Sequence, residues 1–191
     1  MTYKIYDNFL NIADLSYLED TILLDKPTTG PKIRYIYSEE AVSYTSESQA
    51  SSYKVQGYEN SLVGHPQLVH MIYHNYSWVD DGRVDILKPF ISKINPLAWH
   101  KAKLNLTTST IDHIIGGWHT DMPLGTVGGR TAVFSVNDNN GYTMFKDGTR
   151  IDSIANRLVI FDSNEIHTGV TNTDGNNRFT LNLNYFGGLS H

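Results

Sequence analysis

From Trp99 onward the chain alternates, and this alternation constrains the fold more than any other feature. In "RFTLNLNYF", residues 178 to 186, Arg178, Thr180, Asn182 and Asn184 fall on one side of an extended chain, and Phe179, Leu181, Leu183 and Tyr185 on the other. The earlier run "KAKLNLT" repeats the arrangement, with Lys101, Lys103, Asn105 and Thr107 opposite Ala102, Leu104 and Leu106. A strand with one apolar face has to bury that face against a second layer. The other short runs, "TAVFSVND", "YTMF", "TRIDSIA", "RLVIF" and "TGVTNT", are rich in β-branched and aromatic residues and are separated by Gly, Asn and Asp clusters. So many short, punctuated strands predict a mainly β protein built as a jelly roll, with helices on one outer face. The polar faces of the two alternating strands then look into the mouth of the barrel.

Upstream of residue 98 the sequence reads as helices mixed with loops. "NIADLSYLEDTILLD" spaces Ile12, Leu15, Leu18, Ile22 and Leu23 as a helix does, and Pro27 and Gly30 follow as terminators. "VDILKPFISKINP" puts Val84, Leu87, Ile91 and Ile94 on one helical face, with Pro89 as a point of kinking. The serine-rich stretch 43–55 has no apolar period and reads as a loop able to act as a lid. The chain is expected to form a single domain over 1–191, with 1–97 as helical and loop support and 98–188 as the β core.

Composition narrows the chemistry. With no cysteine, the chain has no disulfides, thiolate ligands or cysteine nucleophiles, so a metal site must use histidine and carboxylate. A net charge of -5 offers no overall basic field, and nucleic acid is not an expected partner. No apolar run approaches a membrane span, and the first residues lack the basic and apolar pattern of a secretion signal, so the expected location is cytoplasmic with no membrane partner.

The candidate site lies in "IIGGWHTDMPLG". His119 and Asp121 are two apart behind Gly116 and Gly117, so an extended segment projects both to one side. His167 stands far downstream in "NEIHTGV", and Arg178 follows it. Two histidines and one carboxylate occupy one face of an octahedron and leave three positions open, the arrangement of non-haem Fe(II) oxygenases. The open positions suit a bidentate 2-oxo acid and O2. Arg178 is suited to bidentate pairing with a distal carboxylate, with Asn105, Thr107 and Asn182 on neighbouring polar strand faces as further cosubstrate contacts.

On these residues the chain resembles the iron(II)- and 2-oxoglutarate-dependent oxygenases, and among them the prolyl 4-hydroxylase-like branch. The likeness runs over roughly residues 98 to 186 and includes "NGYTMFKDGTRIDSIANRLVIFDSNEIHTGV". It implies a double-stranded β-helix core and a dioxygenase that hydroxylates a C–H bond while 2-oxoglutarate is decarboxylated to succinate. Fe(II), 2-oxoglutarate and O2 are the implied cofactors, with ascorbate as an accessory reductant. The implied substrate is a peptidyl proline, another protein side chain or a small molecule. Two departures stand out: the branch usually anchors its cosubstrate with lysine where this chain has Arg178, and its tyrosine on the strand before the HxD pair has no clear counterpart here, where Asn105 is the substitute.

Other readings compete. A non-catalytic, cupin-like domain that binds a metal or small ligand would use the same three ligands, and a cosubstrate-independent iron oxygenase would leave Arg178 without a role. His70 and His74, four apart in "QLVHMIYH", would share a helical face, but no HExxH pattern accompanies them. His65, His100 and His113 read as structural or exposed. Gly128 and Gly129 lack the Lys-Ser/Thr of a phosphate loop and read as a turn beside the site. Trp118, Met122, Tyr142 and Phe145 read as core residues more readily than as a pocket rim.

Overall fold

The computed structural model describes residues 2–23, 33, 35–38, 67–79 and 83–189. The serine-rich stretch 43–55, His65, and the terminators Pro27 and Gly30 lie outside the described residues. The elements run in the order β1 (Tyr3–Tyr6), α1 (Ile12–Ile22), β2 (Ile36–Ser38), β3 (Gln67–His74), β4 (Ser77–Trp78), α2 (Val84–Ile94), β5 (Ala98–Thr107), β6 (Gly129–Ser135), β7 (Tyr142–Phe145), β8 (Arg150–Asp152), β9 (Arg157–Asp162), β10 (His167–Val170) and β11 (Arg178–Phe186).

These strands form two sheets. Among the described residues the larger has the order β1-β9-β6-β11-β5-β3-β2, with β4 paired to β3, and the smaller has the order β10-β7-β8. The pairing is antiparallel throughout. The mainly β jelly roll expected from the alternation is the observed architecture, with each strand predicted after residue 98 in place.

The region before residue 98 departs from expectation, because it contributes strands to the main sheet as well as helices. β1 pairs with β9, and β3 pairs with β5. "QLVHMIYH" is therefore a strand. Its Leu, Met and paired histidines suit a helix by spacing, but the open edge of β5 captures it, since tertiary pairing outweighs weak local preference.

The alternation of β5 and β11 sorts the interior. Ala102, Leu104, Leu106, Phe179, Leu181, Leu183 and Tyr185 all join one core cluster with Leu18 and Ile22 of α1 and Leu87, Phe90 and Ile94 of α2. Asn11 caps α1 by accepting from the Asp14 backbone N–H at 2.9 Å. The helix α2 runs through Pro89 to Ile94 and packs Phe90 edge-on to Phe134 of β6, with ring centroids 5.0 Å apart.

A bulge corrects the phase at one end of β5. Asn184 pairs with Lys101 but Tyr185 pairs with Trp99, so His100 is the extra residue. Trp99 thereby turns to the apolar face, 5.7 Å from the Tyr185 ring, while Lys101 faces the barrel interior.

Because Leu181 is fully buried between sheet and helices, Leu181→Ala should lower the unfolding free energy by about 2–5 kcal/mol in urea titration. Ile12→Ala, at a site 86% exposed, should change it by less than about 0.5 kcal/mol.

Candidate metal centre and cosubstrate cavity

The segment leading to His119 lies antiparallel to β10 and joins it to the smaller sheet by two bridges, Ile115 to Val170 and His119 to His167. Four steps on one side span three on the other, so one extra residue is accommodated within Gly116-Gly117-Trp118. Such a bulge bends its strand and re-aims the next side chain. The strands approach closely there: a Cβ on Gly116 would stand 3.0 Å from the Gly169 carbonyl oxygen and 3.2 Å from Thr168 Oγ1, tighter than most such contacts. Past the bulge, His119 and His167 exchange backbone hydrogen bonds of 3.0 Å in both directions, which sets the two imidazoles side by side with centroids 4.6 Å apart.

Asp121 follows in a bend, and the candidate ligand atoms of His119, Asp121 and His167 all lie within 4.8 Å of one another. His119 donates from Nδ1 to the Gly117 carbonyl at 2.9 Å, and His167 from Nδ1 to the Glu165 carbonyl at 3.0 Å. An imidazole that donates from Nδ1 keeps the Nε2 lone pair for a ligand. Asp121 Oδ2 is buried, accepts no hydrogen bond, and stands 3.5 Å from His167 Nε2. Two electron-rich atoms thus face each other across a gap that a cation would satisfy, and the donor set of two imidazoles and one carboxylate suits Fe(II). Among the described residues no other group of three such side chains converges.

The other Asp121 oxygen is already engaged. Lys101 donates to Oδ1 at 3.0 Å and to the Asp121 carbonyl at 3.3 Å, with the carboxylate side chain 3% exposed. Burial pushes the Asp121 carboxyl up, but the positive charge around it, foremost the Lys101 ammonium, holds the group well below the usual carboxylate range. Burial, and next the neighbouring His167, push His119 down to about 3, so it is neutral at physiological pH.

His119 and His167 line the cavity behind the triad together with Lys103, Asn105, Thr107, Arg178, Thr180 and Asn182. The polar faces of β5 and β11 therefore do face the barrel interior. Arg178 is 7% exposed and donates from Nε to Ser153 Oγ at 2.9 Å and from Nη2 to Thr143 Oγ1 at 3.4 Å. Among the described residues it has no carboxylate partner. Gly141 leaves the space for its stem, since a Cβ there would stand 2.8 Å from Arg178 Cδ. Burial pushes the guanidinium down to about 10, still charged at neutral pH. Asn105 Oδ1 is buried without a hydrogen-bond partner.

All of the metal-ligand and cosubstrate residues expected from the sequence thus meet at one place. His70 and His74 do not form a pair: they lie on a strand, His70 buried and His74 exposed. Trp118, Met122, Tyr142 and Phe145 are all core. His100 packs edge-on to Tyr76, and Gly128 takes the turn into β6 with φ +74°. Lys101 and Lys103 were legible only as members of a polar strand face, and the alternation with Asn105 and Thr107 was the signal that could have drawn them into the site. Nothing in the sequence points to Ser153 or Thr143.

No family model matches this sequence, and no curated protein matches it. Solved structures do match its fold. A prolyl hydroxylase from Trichoplax adhaerens, solved with a peptide fragment of the hypoxia inducible factor oxygen degradation domain, superposes with a TM-score of 0.57 at 14% identity over 96% of this chain and 83% of that one. A 2-oxoglutarate-Fe(II) oxygenase family oxidoreductase from Burkholderia pseudomallei gives 0.57 at 8% identity over 99% and 88%. The non-haem, α-ketoglutarate-dependent epimerase SnoN of nogalamycin biosynthesis gives 0.56 at 13% identity over 96% and 78%. The fold is thus the double-stranded β-helix of the 2-oxoglutarate-Fe(II) oxygenases, prolyl hydroxylases among them, and the HxD…H triad is present.

Removing Lys101 would leave the Asp121 carboxylate charged, buried and unpaired. Lys101→Met should therefore lower the stability of the metal-free protein by about 3–5 kcal/mol in urea denaturation, and saturating Zn(II) should restore more stability to this variant than to the wild type.

Proposed function

We propose that the protein is an Fe(II)- and 2-oxoglutarate-dependent dioxygenase that hydroxylates a C–H bond of a peptide side chain or small molecule. The observation that carries this reading is the combination, in one cavity, of an open-faced triad with a buried guanidinium that has no anionic partner among the described residues. Bound iron, with O2, supplies the oxidising chemistry that couples decarboxylation of 2-oxoglutarate to hydroxylation.

The protein's own residues have distinct tasks in this reading. His119 and His167 present Nε2 because backbone carbonyls fix their Nδ1 protons, and Asp121 presents Oδ2 because Lys101 occupies Oδ1. Arg178 holds the far carboxylate of the cosubstrate. Its guanidinium bonds Thr143, which pairs with Gly169, two residues along β10 from His167. Two residues of strand are about 7 Å, a separation that a five-carbon dicarboxylate spans. Asn105, Thr107 and Asn182 add hydrogen-bonding groups along the same path. The burial of the cavity wall excludes water from the reacting centre.

Peptide and small-molecule substrates are both compatible with this site, since the fold is shared as closely with an epimerase as with a prolyl hydroxylase.

Anaerobic addition of Fe(II) and then 2-oxoglutarate should produce a weak visible charge-transfer band. His167→Ala should abolish it, and Arg178→Ala should raise the 2-oxoglutarate concentration needed for half-saturation by about tenfold or more. Folded, iron-loaded protein with no band at any 2-oxoglutarate concentration would replace this reading with that of a cupin-like binding domain.

A further inference from the structure

The described lining of the cavity contains two cationic side chains, Arg178 and Lys103, and no carboxylate, although the chain as a whole carries 20 acidic against 15 basic residues. Buried cations are stable when paired. Arg178 has two hydroxyl partners, Ser153 and Thr143. The Lys103 side chain forms no hydrogen bond or ion pair with any described residue. Its neighbour on the same strand face, Lys101, is already committed to Asp121.

Strand register places Lys103 along the cavity. Lys101 pairs with Asn184, and this row continues through Thr131 to Phe161, whose ring packs 4.8 Å from that of His167. That row marks the metal end. Lys103 pairs with Asn182 in the next row inward, Asn105 with Thr180 in the one after, and Thr107 with Arg178 beyond. Lys101 and Asp121, whose charges act on Lys103, are bonded to each other at the metal end. Lys103 therefore stands one row from the metal end and two rows from Arg178.

We propose that Lys103 binds the carboxylate of the 2-oxo acid that lies next to the metal ligands, so that the cavity holds its cosubstrate between two cations. This inference rests on the 2-oxo acid reading given above. A carboxylate that gives one oxygen to an ion keeps the other for a donor, and an ammonium with three N–H groups and no competing acceptor is suited to it. Lys103 recognises the part that all 2-oxo acids share, and Arg178 the part that distinguishes a dicarboxylate.

Calorimetric titration of the Zn(II)-loaded protein separates these roles without turnover. The probes are 2-oxoglutarate and 2-oxobutyrate, which lacks the distal carboxylate. Lys103→Met should weaken both acids by the same factor, about tenfold or more, with unchanged Zn(II) affinity, and Lys103→Arg should recover part of the loss. Arg178→Met should weaken 2-oxoglutarate and leave 2-oxobutyrate within about twofold of wild type. Wild-type affinity for both acids in Lys103→Met would overturn the inference and assign the lysine to an anion on the substrate. A loss confined to 2-oxoglutarate would overturn it too, by placing Lys103 at the distal end. If the wild type binds zinc but neither acid, the functional reading itself fails and takes this inference with it.

Discussion

The antiparallel pairing of β5 with β11 is the constraint from which the rest of the structure follows. Both strands alternate, and their register sets Leu104 against Leu181 on one face and Asn105 against Thr180 on the other. A slip of one residue would bring the apolar set into the cavity and the polar set under the helices, so the register is held by burial on both sides. The helices α1 and α2 can then cover only the face bearing Leu181 and Leu183. The opposite face remains polar, enclosed and able to hold a charged ligand.

Enclosing that face places the smaller sheet, and with it the triad. β10 pairs with β7 and with the segment ending at His119, so one short strand brings together two ligands that are 48 positions apart in sequence (167 − 119). The bulge at Gly116-Gly117-Trp118 turns His119 to face His167. Asp121, carried into the bend, meets Lys101 from the main sheet. The ion pair thus ties the two sheets together at the point where the ligand atoms converge, and it decides which carboxylate oxygen is offered.

The sequence carried the local part of this arrangement. Period-two alternation is visible without any partner strand, which is why the β core, the inward polar faces and the place of Arg178 on one of them could be read from residues 98 to 186. His119 and Asp121 were legible because ligands two apart are a local pattern. What could not be read was non-local: β1 pairs with β9 across more than 150 positions (3 to 161), and β3 becomes a strand only because β5 offers an unpaired edge. Ser153 and Thr143 support Arg178 from β8 and β7, where nothing in their flanking residues distinguishes them from other strand hydroxyls. Lys103 was visible as a polar-face residue, but its lack of a partner is a property of the assembled cavity.

That lack makes so polar an interior costly to fold. Asp121 Oδ2 and Asn105 Oδ1 are buried without a hydrogen-bond partner, and Arg178 and Lys103 form no ion pair with any described residue. Buried groups in this condition cost stability. The cost is offset by the apolar face of the same two strands, where Leu104, Leu181, Leu183 and Tyr185 are fully buried. One pair of strands therefore carries both the strongest part of the core and the least satisfied part of the molecule, on opposite sides of a single backbone. A ligand that supplies a cation to the triad and anions to the two basic side chains binds the folded state alone, and by linkage stabilises it. Substitutions that make the cavity wall apolar should stabilise the empty protein for the same reason that they would deprive it of its ligands.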